Sequence, residues 1–116
     1  MSQELRAEQR SASRKELSAI VSVFDAMSGD RIGHIGNISS SGMMVICQTQ
    51  VGESHLYQLS FALPPVGDAP ESQFNVGAMC LWCSEAESTG TFWAGFEIID
   101  IADEDALALE GIVVTL

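Results

Sequence analysis

Residues 31–49 read RIGHIGNISSSGMMVICQT, and the way this stretch divides decides the fold. Ile32, Gly33, His34, Ile35 and Gly36 show no helical period, and MMVIC (43–47) is an apolar run of strand length. Between them NISSSG (37–42) supplies an amide, three hydroxyls and a glycine, the chemistry of a turn. The stretch therefore reads as strand, polar turn, strand.

Outward from it the same rhythm continues. AIVSVFDAM (19–27) is β-rich and ends in the turn SGD (28–30). SHLYQLSFAL (54–63) reads as a further strand, with Leu56, Gln58, Leu59 and Phe61 in alternation, and PPVGDAPES (64–72) is a loop of breakers. FNVGAMCLWC (74–83) and TFWAGFEIIDI (91–101) are two more strands, joined by the hairpin connection SEAESTG (84–90). Six short strands separated by turn signals predict a small antiparallel barrel or sandwich. The end changes character. In ADEDALALEGIVV (102–114) three acidic residues precede Leu107 and Leu109, so a short helix is expected from about Asp103, with Gly111 as its stop. At the other end MSQELRAEQRSASRKEL (1–17) is polar and of mixed charge. It reads as a mobile arm or a short helix, and only Leu5 and Leu17 offer apolar anchorage.

Composition bounds the function. A chain of 116 residues makes one domain, and 47% hydrophobic against 18% charged residues is globular rather than disordered. The opening residues lack the apolar core of a signal peptide, and the uncharged run 32–52 is too polar to span a bilayer, so a cytoplasmic protein without a membrane partner is expected. The net charge is −11, but all five basic residues (Arg6, Arg10, Arg14, Lys15, Arg31) lie within the first 31 positions. No basic stripe is left to neutralise a phosphate backbone, which excludes duplex nucleic acid as a partner. A small anion needs only one or two arginines, and here the N-terminal segment must supply them.

Two motifs then belong together. Arg10-Ser-Ala-Ser-Arg14 is an R-x-x-x-R pair and Asn37-Ile-Ser39-Ser-Ser-Gly42 an N-x-S-x-x-G turn. In this order and at this separation they resemble the paired signatures of the PilZ domain family. The strand rhythm, the VFDAMSGD turn, the late Gly95-Phe96-Glu97 and the C-terminal helix extend the resemblance over nearly the whole chain.

The resemblance implies an all-β, six-stranded antiparallel split barrel: an arginine-bearing arm over 1–17, the barrel over 18–101, and a short helix and tail over 102–116. It also implies a bacterial receptor for the second messenger cyclic di-GMP. Arg10 and Arg14 would hold phosphate and guanine, and Asn37, Ser39 and Gly42 would line the base pocket. Some members place an aromatic where Trp82 stands and stack it on a guanine; ordinary barrel packing is the other reading of that tryptophan. Chemistry suits these assignments. Guanidinium grips phosphate bidentately and stacks on purines, amide and hydroxyl groups match guanine edges, and glycine permits close approach.

Two positions depart from the usual pattern. Asn37 stands where aspartate is frequent, which keeps the acceptor and loses the charge, and Gln9 stands where many members carry another arginine. The overlapping Arg6/Arg10 pair is a second R-x-x-x-R frame. Ligand binding is expected to order residues 8–17 across the barrel and so signal to a partner protein. The alternative is a ligand-independent interaction module in motility or pilus assembly.

Other features are weaker. Cys80-Leu-Trp-Cys83 invites a metal or redox reading, but residues three apart on a regular strand point to opposite faces, and no second ligand pair accompanies them. Buried or half-buried thiols are expected. His34 and His55 lack partners at a recognised catalytic spacing, and no hydrolase, zincin or P-loop pattern occurs, so neither an enzyme nor a cofactor is expected.

Overall fold

A computed structural model describes residues 14–65, 71–87 and 90–116. In chain order the elements are β1 (Lys15–Glu16), β2 (Ser22–Asp25), β3 (Arg31–Ile38), β4 (Gly42–Cys47), β5 (Leu56–Leu63), β6 (Ser72–Glu85), β7 (Phe92–Asp100) and α1 (Asp103–Thr115). All pairings are antiparallel. Strands run β3-β2-β5-β6-β7-β4, and β4 pairs back onto β3, so six strands close a barrel. Closure removes the free sheet edges that would otherwise invite pairing with other chains.

The alternation that marks the strands also fills the barrel. Leu59, Phe61 and Leu63 of β5 point inward beside Phe74, Val76 and Ala78 of β6, Met43, Val45 and Cys47 of β4, and Ala94 and Phe96 of β7. Phe61 and Phe74 stack at 5.5 Å between ring centres, and Tyr57 meets Phe96 edge-on at 5.8 Å. Close strand contact is bought at Gly33, where a Cβ would run into the Ile46 carbonyl. At the SGD turn Gly29 takes φ +83°, a conformation side chains disfavour.

Two expectations change. Lys15–Glu16 is neither helix nor free arm: it forms β1, paired with Ile38 and Asn37 at the far end of β3. Bonding to an existing strand costs less than nucleating a helix with so little apolar anchorage. Residues 1–13, including Arg6, Gln9 and Arg10, lie outside the described residues. The helix begins where expected but does not stop at Gly111, running on to Thr115. Leu109 and Val113 on either side of that glycine are buried in the barrel core, and their burial outweighs the roughly 1 kcal/mol cost of glycine in a helix. Among the described residues no helix is long and apolar enough to cross a membrane.

Candidate functional site

The NISSSG turn is built around Ser39. Its hydroxyl oxygen accepts the backbone N–H of Ser41 and of Gly42, each at 3.2 Å. Its proton goes to the Gly42 carbonyl or the Ser41 hydroxyl, each at 3.3 Å. The Ser39 N–H donates to the Gly42 carbonyl at 2.8 Å, and the Ser41 carbonyl accepts the Ile98 N–H at 2.9 Å, which ties the turn to β7. Ser39 is buried. Its side chain holds the turn, which forms a ledge beside β3 and β4, from within, and the family motif places the same residue in the pocket lining. Gly42 is also a backbone device: a Cβ there would run into the Phe96 carbonyl on β7.

Asn37 reaches the outer surface through a bulge. Ile35 faces Val45 and Asn37 faces Met44, so Gly36 is an extra residue on β3. Strict alternation from the buried Ile35 would turn Asn37 inward; the extra residue turns it out and leaves Ile38 buried. The Asn37 side-chain amide oxygen, Oδ1, accepts a hydrogen bond from Arg14 Nη1 at 3.1 Å, across 23 positions of sequence. Arg14 is held there because the next residues form β1, with Glu16 opposite Asn37. Lys15 donates to the Leu116 carbonyl at 3.1 Å, so the same short strand also touches the end of α1.

A second bulge acts on β6. Cys80 faces Phe96 and Trp82 faces Gly95, so Leu81 is the extra residue. Trp82 therefore points outward and is 41% exposed. The tryptophan belongs to the outer surface and not to the core. The same bulge corrects the reading of the cysteines: Cys80 and Cys83 face Phe96 and Ala94, both inward, and thus share a face. Cys80 is buried and Cys83 half-buried, as expected of structural thiols. Burial pushes the Cys47 thiol up to about 12, with Cys83 and Cys80 adding to the effect. Burial and then Cys83 raise Cys80 as well. Among the described residues no group of three or more histidine, cysteine or acidic side chains is placed to hold a metal ion.

The registers join these residues in one line. Glu16 faces Asn37, Asn37 faces Met44, Met44 faces Gly95 and Gly95 faces Trp82, so one row crosses five strands on the outside of the barrel. Of the six residues singled out in the sequence, Asn37 and Trp82 lie in this row, Arg14 joins its Asn37 end by a hydrogen bond, Ser39 and Gly42 form the adjoining turn, and Arg10 lies outside the described residues. Met44 escaped sequence reasoning because it reads as one apolar residue in an apolar run. Its signal would have been the bulge opposite it, which no local pattern reveals.

A closed six-stranded barrel with its polar turn between two adjacent strands, a basic segment laid near that turn and a helix packed on the core defines the class: a small antiparallel β-barrel domain. The family model of the PilZ domain matches residues 4–114, and the chain belongs to that family. Among solved structures it is similar to the Bacillus subtilis inhibitor of motility MotI/DgrA, with a TM-score of 0.72 at 18% identity. The match covers 90% of this chain and 49% of that one, so the chain spans about half the length of that protein. At this identity the likeness speaks for the fold alone. No curated protein matches the chain significantly.

Proposed function

We propose that this protein is a receptor for cyclic di-GMP that passes the signal to an effector protein from the cytoplasm. The observation that carries the reading is the Arg14–Asn37 hydrogen bond, which joins the two family motifs at the end of a row leading to Trp82. Membership of the PilZ family supports the choice of ligand. In this reading Arg14 releases Asn37 and, with Arg10, grips phosphate and guanine. Asn37 turns its amide to a base edge, Ser39 and Gly42 hold the ledge, and Trp82 stacks on a base.

The basic arm matters because the surroundings are acidic, with Glu16 beside Asn37 and Glu97 opposite Gly42. Charge-assisted hydrogen bonds contribute ~1.5–3 kcal/mol each, so three or four of them reach about −8 kcal/mol, a micromolar constant. Ordering the arm opposes this by ~1–2 kcal/mol for each residue fixed. Ligand binding orders residues 8–17 across the barrel, and the new surface recruits the partner. Isothermal titration of the full chain with cyclic di-GMP tests the proposal. Saturable micromolar heat supports it, and its absence in favour of a ligand-independent interaction module overturns it. Unchanged hydrogen exchange in residues 8–17 on saturation removes the ordering step alone.

A further inference from the structure

Two glycines in the outer row are covered by side chains from neighbouring strands. A Cβ on Gly95 would run into the Trp82 indole, with Cε2 only 2.5 Å away. A Cβ on the bulged Gly36 would meet Met44 Cε at 2.7 Å and Sδ at 3.4 Å. The indole is thus laid over β7 and the thioether over β3, each lying on bare backbone where any other residue would lift it. The row between Asn37 and Trp82 contains Met44 and Gly95 and nothing taller. Adjacent strands stand about 4.8 Å apart, so Asn37 and Trp82 are separated by three spacings, about 14 Å along the curved surface.

Resting on the cyclic di-GMP reading above, we infer that Trp82, Gly95, Met44 and Gly36 form a preformed apolar floor for the ligand. Met44 is a contact residue of this floor, and Gly95 and Gly36 are positioning residues that keep it flat. Any ligand that touches Asn37 and Trp82 together must cross Met44. A polarisable, unbranched thioether suits that place, because sulfur packs well against aromatic planes and adapts to their tilt. The glycines act before any ligand arrives: they set the indole flat, so that a purine meets an oriented face and little order is lost on stacking.

The test uses the full chain carrying Trp93→Phe, which leaves Trp82 as the only indole. Gly95→Ala in this background is expected to lift the indole and shift its emission without ligand. It is also expected to weaken cyclic di-GMP binding about tenfold, the scale of one lost base–aromatic stack. Met44→Ala should weaken binding comparably with the ligand-free emission hardly changed, and Met44→Leu should restore most of the affinity. Wild-type affinity in both Gly95→Ala and Met44→Ala overturns the floor while the receptor reading stands. No binding by the parent overturns the receptor reading and the floor's role together. If Gly95→Ala fails to fold, the Met44 pair decides alone.

Discussion

Replacing Ser39 by alanine separates a side chain that shapes the ledge from one that touches a ligand. The substitution takes the acceptor from two backbone N–H groups, Ser41 and the buried Gly42, and removes the donor to the Gly42 carbonyl or Ser41 hydroxyl. Each such bond contributes about 1 kcal/mol net, and a buried group left unsatisfied costs about 1–3 kcal/mol, so roughly 2 kcal/mol of stability should be lost without any ligand present. Asn37→Ala offers the contrast. Its side-chain carbonyl accepts one exposed bond from Arg14, and its loss should cost less than about 1 kcal/mol. Urea unfolding followed by intrinsic fluorescence measures both. With a slope of about 2 kcal/mol per molar urea, Ser39→Ala should move the midpoint down by about 1 M, and Asn37→Ala by less than half of that. A Ser39→Ala midpoint within about 0.3 M of the parent would refute the assignment, because the hydroxyl would then carry no part of the turn.

Arg14→Ala should lower cyclic di-GMP affinity by about 10- to 100-fold in titration, the value of one charge-assisted contact, while leaving the unfolding midpoint near the parent's. Gly111→Ala should raise stability by about 0.5–1 kcal/mol, since the position is helical and nothing lies within 4 Å of the added methyl; thermal unfolding checks this. At pH 8 iodoacetamide should label the half-buried Cys83 before Cys47 or Cys80, whose burial keeps them protonated, as peptide mapping over time will show. The Cys47 thiol, ordinarily at 9.0, rises to about 12 in the fold, so its contribution to stability is whole below pH 9 and disappears as the pH climbs towards 12. Cys47 is expected to contribute a fall of about 1.4 kcal/mol per pH unit across that window, and Cys47→Ala should remove this share and leave the one that Cys80 carries.

The six barrel strands and the helix start were legible from local chemistry. Phe61 and Phe74 sit in period-two runs, Gly29 breaks the chain at its turn, and the Asp103–Asp105 cluster opens the helix. The two motifs were legible too, because a turn needing serine and glycine announces itself in composition. What the sequence could determine by itself was therefore the set of elements and the residue types available to a site, since propensity and alternation act over a few neighbours.

Facing was decided by tertiary pairing. Counting in twos puts Asn37 with Ile35 and Trp82 with Cys80, all inward, and sends Cys83 outward. The extra residues Gly36 and Leu81 reverse each of these, because a bulge exists only relative to the strand opposite and has no local signature. Pairing also drew Lys15–Glu16 into a strand beside Asn37, and the buried Leu109 and Val113 carried the helix past Gly111. Each outcome depends on energy shared between segments distant in the chain, so it belongs to the closed barrel and not to any stretch of it.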